Sequence, residues 1–317
     1  MANKVPTTVF TGFLGSGKTT IIAHLVDELQ SAGQQVIYIK NEIGNENIDA
    51  QLMQGKHIQT KELLNGCICC TLVGPFIHAI DEIIDTLNPT RIIIEASGAA
   101  DPAALALMID SHPRLTRDGV LVVVDVVNFD GYTDLSTTAQ NQTKFTDLII
   151  FNKIEQVDLD RKKAVVGYVR ELNTHSPIVE APQGKVASSV VFGIASDELD
   201  ILLKNEGFDD HTDTHNHPHE HHLEQDGIES FSLYPDGLLP REAVQQFLEK
   251  LPPSVYRVKG IFKDTSDESC IINKVGTRTI LENQQSSSKS VIVLIGFKIL
   301  QFKEKIQAEL SNLTTTA

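Results

Sequence analysis

Basic residues are in short supply: 27 Lys and Arg stand against 42 Asp and Glu, a formal charge of −15 at pH 7. A nucleic-acid partner needs clustered cations on the protein to release counterions from its phosphates. An acidic chain of this kind therefore argues against nucleic acid as a main partner, while its scattered carboxylates attract cations only weakly and without selectivity. Long apolar runs are missing as well. The longest, around Val120–Val124, falls far short of the ~20 residues a membrane-spanning helix needs. The chain opens without a charged lead, an apolar stretch and a small-residue cleavage site. The expectation is a cytoplasmic protein with no membrane partner. Cysteine is scarce: of four, three (Cys67, Cys69 and Cys70) lie within four residues. In a reducing compartment such a cluster points to metal binding or reactivity rather than to a disulfide.

What is present is enough apolar residue, 41% of 317, for a core without staples, and at ~100–200 residues per domain for about two domains. Val5–Thr11, Gln35–Lys40, Arg91–Ala96, Gly119–Val124 and Asp147–Phe151 read as strands. Their near-continuous Val and Ile suit strands buried on both faces of a parallel sheet. Between them, Ile21, Ile22, Leu25, Val26 and Leu29, and again Ile77, Ile80, Ile83, Ile84 and Leu87, recur at helical spacing, the second run stopped by Asn88-Pro89. The expected fold class is α/β: a P-loop NTPase domain with a mostly parallel sheet over residues 1–204, then a smaller α+β domain over 229–317. In the second domain, Glu229–Tyr234, Val255–Phe262 and Val291–Phe297 read as strands, Pro240–Leu251 and Ile299–Leu310 as helices, and Ser286–Lys289 as a turn. Residues 205–228, without apolar periodicity and crowded with Asp, Glu and His, read as a flexible loop.

The most specific motif is Gly12-Phe-Leu-Gly-Ser-Gly-Lys-Thr19, which matches G-x-x-x-x-G-K-[ST] between an apolar strand and an amphipathic helix. Backbone N–H groups of Gly12, Gly15, Ser16 and Gly17 would curl around phosphates, with Thr20 beside them. Lys18 would hold the β- and γ-phosphates and the Thr19 hydroxyl would bind Mg²⁺. The helix N-terminus adds favourable partial charge. The competing reading, a glycine-rich turn that binds nothing, does not account for the strand and helix on either side. Glu95, at the end of the apolar run Ile92–Ile94, stands where a Mg²⁺-associated carboxylate sits in this architecture, and Gly98 could offer its N–H to the γ-phosphate. Asn152-Lys153-Ile154-Glu155 resembles the N-K-x-D element with which GTPases read guanine, with Glu155 in place of the acid. Guanine N1–H and its exocyclic amine would donate to that carboxylate, which adenine cannot do.

Three thiols in Asn65-Gly-Cys67-Ile-Cys69-Cys70 can give one ion three soft ligands, which suits Zn²⁺, Co²⁺, Ni²⁺ or Cu(I). Glu42, His57 or an exchangeable ligand are candidates for the fourth position. A second histidine-rich group, His211, His215, His217, His219, His221 and His222, is interspersed with Asp209, Asp210, Asp213 and Glu220. It reads as an auxiliary metal-collecting loop, the plainer alternative being a solvated linker.

These motifs together resemble the CobW-type metallochaperone GTPases, a class that includes the nickel-insertion GTPases of urease and hydrogenase maturation. The resemblance is carried by Thr11–Thr20, Asn41-Glu42-Ile-Gly44, Ile48-Asp49, Asn65–Cys70, Glu95–Gly98 with Ala100-Asp-Pro102, Asn152-Lys153 and, more weakly, Tyr256-Arg-Val-Lys-Gly260. It implies GTP binding with slow hydrolysis to GDP and phosphate, and a switch region over Glu42–Asp49 with Asp49 near Mg²⁺. It further implies zinc, cobalt or nickel at Cys67, Cys69 and Cys70 with Glu42, and delivery to a client metalloprotein; homo-oligomerisation is compatible with it. The chain departs from the family pattern at Glu155, where Asp is usual, and at Lys40 and Asn45, where many members carry Glu. No residue that would position a hydrolytic water is identifiable. Three other readings stay open: a nucleotide-dependent regulatory module with a structural ion and no metal transfer, an ATP-dependent P-loop enzyme, and a metal buffer.

Overall fold

The computed structural model describes residues 4–41, 60–62, 73–96, 102–131, 137–193, 227–266, 268–284 and 290–314. The chain divides into two compact units, Met1–Phe192 and Gly193–Ala317.

In the first unit, in chain order, strands β1 (Val5–Thr11), β2 (Val36–Asn41), β3 (Thr60–Glu62), β4 (Arg91–Ala96), β5 (Leu115–Asp125), β6 (Leu148–Asn152) and β7 (Ile178–Ala181) form one seven-stranded sheet in the order β3-β2-β4-β1-β5-β6-β7. Every neighbouring pair is parallel. Helices α1 (Lys18–Ser31), α2 (Val73–Leu87), α3 (Pro102–Ser111), α4 (Thr137–Lys144), α5 (Leu159–Leu172) and the short α6 (Ser188–Val191) connect or follow the strands. All residues of β1, β4 and β6 are buried, which is why their sequences run apolar rather than alternating.

The helices form where the stripe and the stop signals agree. Helix α1 buries Ile21, Ile22, Leu25, Val26 and Leu29. It ends at Gly33, left-handed with φ 84°, where Gln34 N bonds Leu29 O at 3.0 Å and Gly33 N bonds Gln30 O at 2.9 Å, the pairing of a glycine C-cap. Helix α2 ends at Asn88, whose φ of 42° turns the chain before Pro89. Phe76, Ile80, Ile83 and Ile84 of α2, with Leu105 and Ile109 of α3, pack on Val9, Ile37, Ile39, Ile92 and Ile94 of the sheet. Val165 and Val169 of α5 pack with Val122, Val124, Ile149 and Phe151. Away from these apolar layers, Arg91 and Asp118 form a fully buried ion pair at 2.6 Å, and Asp118 also accepts from Thr8 Oγ1 at 3.2 Å.

The strand order reverses direction at β1: the chain passes from β1 across β4 to β2, and later from β4 across β1 to β5. At such a switch point the crevice beyond the carboxyl ends of the strands is the ligand site of open α/β sheets.

In the second unit, β8 (Ile228–Leu233), β9 (Val255–Lys263), β10 (Ser269–Val275), β11 (Arg278–Gln284) and β12 (Val291–Phe297) make an antiparallel sheet in the order β11-β10-β9-β12-β8. Helices α7 (Arg241–Lys250) and α8 (Lys303–Ser311) bury Val244, Phe247, Leu248, Ile306 and Leu310 against Val258, Phe262, Ile272, Ile292 and Leu294. The closing helix expected from Ile299 begins as a 3₁₀ turn, Ile299–Phe302, before α8. Within the Arg-Val-Lys-Gly stretch of β9, Arg257 is buried and donates to Asn273 Oδ1 at 3.0 Å. Gly260 lies so close to β12 that a Cβ would stand 2.3 Å from Val291 O. The fourth cysteine, Cys270, belongs to this core; burial pushes its thiol up to about 11, as for an inert packed side chain. Among the described residues no helix is long and apolar enough to cross a membrane.

Candidate functional site

Thr11 ends β1 fully buried, and the next eight residues form the phosphate loop. Gly12 has φ 133°, and a Cβ there would stand 2.3 Å from Val123 O on the neighbouring strand, so only glycine lets the loop leave the sheet at this point. Gly17, left-handed with φ 95°, is the N-cap of α1. Its first helical bond is Ile21 N to Gly17 O at 3.0 Å, so α1 begins directly at the phosphate loop, and a helix N-terminus of this kind favours an anion. Lys18 is buried, and its ammonium donates to Gly12 O at 2.9 Å and Phe13 O at 3.1 Å. Ser16 is 1% exposed, and its hydroxyl has no hydrogen-bond partner. A buried orphan hydroxyl beside a buried cation at a helix N-terminus fits an anion with several acceptor oxygens, which is what a nucleotide phosphate chain supplies.

Glu95 reaches the loop from β4, opposite Phe10 in register. Thr19 Oγ1 lies 3.0 Å from Oε1 and 3.1 Å from Oε2 of Glu95, so the threonine proton is given to the carboxylate and the oxygen lone pairs are left for another group. The Tyr38 hydroxyl donates to Glu95 Oε2. Burial pushes the Glu95 carboxyl up from its ordinary range, and the bonds from Tyr38 and Thr19 and the charges of Lys18 and Lys40 oppose that rise. A hydroxyl and a carboxylate side by side are hard oxygen ligands of the kind Mg²⁺ takes together with phosphate oxygens.

Asn152 and Lys153 close the loop from β6. Asn152 Nδ2 donates to Ser16 O at 2.8 Å, and its Oδ1 accepts from Lys153 N at 2.9 Å. Lys153, itself left-handed with φ 61°, donates from Nζ to Gly15 O at 3.0 Å and to Asp125 Oδ2 at 2.6 Å. Burial by itself would raise the Asp125 carboxyl; the bonds from Lys153, Asn128 and the Val127 N–H outweigh it and hold the group below the usual carboxylate range. Asp125 was not singled out from sequence. Its place at the end of β5, level with Asn152 in the ladder, is the signal that marks it.

Glu155 sits in a 3₁₀ turn, Ile154–Gln156, on the surface. Its Oε2 accepts from Gln183 N at 3.1 Å and its Oε1 from Gln156 Nε2 at 3.3 Å. The Gln183 N–H is the largest influence lowering its carboxyl. Gln183 is left-handed, φ 54°, in the Pro182–Gly184 turn after β7. That turn lies on α1: His24 Nδ1 is 3.0 Å from Gly184 O, and a Cβ on Gly184 would stand 3.2 Å from Thr20 Cγ2. Sequence reasoning missed this segment and Tyr38; neither carries a motif.

The carboxyl ends of β1, β4, β5 and β6 thus bring Gly12, Gly15, Ser16, Gly17, Lys18, Thr19, Glu95, Asn152 and Lys153 together, with Thr20 and Glu155 on either side of the Pro182–Gly184 turn. Gly98, Glu42, Asp49, His57, Cys67, Cys69, Cys70, the six histidines from His211 to His222, and the Ser286–Lys289 turn lie outside the described residues. Among the described residues there is no cluster of three or more His, Cys, Asp or Glu side chains placed to hold an ion, so a transition-metal assignment rests on sequence.

Residues 6–180 match the model of the CobW/HypB/UreG nucleotide-binding domain, and residues 228–314 that of the cobalamin synthesis protein cobW C-terminal domain. The chain is 31% identical over 199 residues to the zinc chaperone YjiA of Escherichia coli, covering 60% of this chain and 61% of that protein. It is 33% identical over 225 residues to the zinc chaperone CobW of a Sinorhizobium species, covering 60% and 63%. It is 29% identical over 194 residues to the zinc-regulated GTPase metalloprotein activator 1 of Schizosaccharomyces pombe, covering 57% and 47%. The alignments to the first two span about three fifths of those relatives' lengths.

Proposed function

This chain belongs to the CobW/HypB/UreG nucleotide-binding family, and from that premise we propose that it is a GTP-hydrolysing metallochaperone of the cytoplasm. It binds a transition metal, zinc in the first place and cobalt or nickel by the same chemistry, at Cys67, Cys69 and Cys70 with Glu42. Nucleotide state governs that site, and the metal passes to a client metalloprotein. The histidines of residues 205–228 (His211, His215, His217, His219, His221 and His222) collect ions for it. Three relatives that carry zinc in their names support the choice of metal.

The observation that carries the nucleotide half is the bonding of the base-reading element to the phosphate loop, Asn152 to Ser16 and Lys153 to Gly15. That bonding supports a single ligand long enough to engage both elements. Lys18 exchanges its bonds to the Gly12 and Phe13 carbonyls for the β- and γ-phosphates. The N–H groups of Gly15 to Thr20 hold the remaining phosphate oxygens. Mg²⁺, when bound, would neutralise charge developing on the phosphates; Thr19, Glu95 and Asp49 would hold it, with Gly98 N–H on the γ-phosphate. Glu155 Oε1, which takes the 3.3 Å contact from Gln156, is the acceptor for guanine N1–H. By linkage, whatever nucleotide does to metal affinity, metal does to nucleotide affinity by the same factor.

Competition binding tests the base. GTP and GDP are expected to displace a fluorescent guanine nucleotide, with ATP weaker by at least about tenfold, the worth of one charge-assisted hydrogen bond. Stronger binding of ATP than GTP would overturn the assignment of Asn152, Lys153 and Glu155.

A further inference from the structure

We propose that Tyr38 is a positioning residue for the Mg²⁺ site: its hydroxyl fixes the Glu95 carboxylate in the orientation that takes the Thr19 proton and leaves the Thr19 lone pairs for the metal. The inference rests on the reading of Thr19 and Glu95 given above and adds a residue that no motif identifies.

The sheet register makes the contact. Tyr38 stands opposite Ile93 and Lys40 opposite Glu95 on adjacent parallel strands. Side chains two residues apart on a strand share a face, so Tyr38 is the diagonal neighbour of Glu95. Such a diagonal is wider than a directly opposed pair, and aromatic and long side chains are the ones that span it. The short aliphatic side chains of β2 (Val36, Ile37 and Ile39) carry no donor, and phenylalanine would reach without one; Lys40, opposite Glu95, contributes its charge. Tyr38 is 1% exposed and Glu95 5%, so water does not readily substitute for the phenol.

The need for such a partner lies in glutamate itself. Its carboxylate is carried on three rotatable bonds, and the Thr19 hydroxyl, nearly equidistant from both oxygens at 3.0 and 3.1 Å, does not choose between them. The Tyr38 hydroxyl donates to Oε2. The ring behind it is locked by burial, so the donor is fixed in space and the carboxylate plane follows it. Oε1 is then left to share the Thr19 proton. Tyr38 touches neither nucleotide nor metal in this arrangement; it acts through Glu95.

The test uses the full chain loaded with a non-hydrolysable GTP analogue, with Mn²⁺ as the probe and electron paramagnetic resonance as the readout of free and bound ion. Tyr38→Phe keeps the ring and removes only the donor. It is expected to weaken Mn²⁺ binding by about tenfold, the loss of one hydrogen bond to a charged group. Analogue affinity in EDTA is expected to stay within about twofold, and the melting temperature in EDTA within a few degrees. In the Glu95→Gln background, where the carboxylate is gone, Tyr38→Phe is expected to change Mn²⁺ affinity by less than about twofold, because residues acting through one another are not additive. This second pair also removes the unpaired buried carboxylate, so it remains informative if Tyr38→Phe alone folds poorly. Mn²⁺ affinity unchanged in Tyr38→Phe, or reduced equally in both backgrounds, would overturn the proposal. Wild-type protein that binds the analogue but no Mn²⁺ beside it would instead overturn the reading of Thr19 and Glu95.

Discussion

Asn152 Nδ2 donates to the backbone carbonyl of Ser16 at 2.8 Å, a bond between residues 136 positions apart in the chain. Asn152 is buried at the end of β6, so the Ser16 carbonyl and the amide satisfy one another out of reach of solvent. Asn152→Ala leaves that carbonyl unpaired, at a cost of about 1–3 kcal/mol. The expected result is a stability loss of that size in urea melts, together with weaker binding of GTP and GDP alike, because the contact shapes the loop that holds the phosphates both carry. Unchanged stability would show that the bond is dispensable.

Gly17 faces the same amide. A Cβ on Gly17 would lie 2.1 Å from Asn152 Nδ2, and the backbone there is left-handed at φ 95°. Gly17→Ala therefore carries two penalties, a clash and about 1–2 kcal/mol of backbone strain. The double variant Gly17→Ala/Asn152→Ala removes the first and keeps the second. Denaturant melts should show for it a loss smaller than the sum of the two single losses; strict additivity would mean that the clash is relieved some other way.

At the other end of the site, Glu155 is the group on which guanine selectivity is expected to depend. Glu155→Ala should reduce the preference for GTP over ATP by roughly 10–100-fold, the worth of 1.5–3 kcal/mol in hydrogen bonds to a charged acceptor. Phosphate contacts from Lys18 remain, so ATP affinity should move little. A preference equal to that of the unmodified protein would assign base reading elsewhere, with Gln183 N–H as the first group to examine.

Arg91 and Asp118 lie in the sheet interior, both fully buried, with the Arg91 guanidinium 4.7 Å above the Phe192 ring. Asp118→Asn leaves a buried cation without its counter-charge, and breaking such a pair costs about 3–5 kcal/mol. The expected signature is a large drop in melting temperature with GTP affinity of the folded fraction unchanged. A drop worth under about 1 kcal/mol would mean that the pair is screened like a surface one.

The parts of the fold legible in the sequence are those where one force dominates. Strands β1, β4 and β12 run between the residues expected, because each is rich in β-branched residues, which favour a pleated, buried strand. Other elements were not legible. The edge strands β7 and β11 are short or polar, since an edge buries less and is chosen against self-pairing. Strand β10 carries Asn273 and Lys274 near its end, yet pairs with β11 across the two-residue turn Gly276-Thr277, whose glycine was the available hint. In the site, the phosphate loop and Asn152-Lys153 were legible because their chemistry demands fixed spacing. Tyr38, Asp125 and Gln183 were not, because the sheet register joins them to the site and spacing along the chain does not.

The central claim is that nucleotide state controls a thiolate metal site, and zinc affinity measured with a GTP analogue, with GDP and with no nucleotide tests it most directly. The account predicts affinities that differ among the three states by roughly 5–150-fold, the usual coupling of about 1–3 kcal/mol, and loss of tight binding when Cys67, Cys69 and Cys70 are changed to Ser. Equal affinity in all three states, or zinc held as tightly without the cysteines, would contradict it.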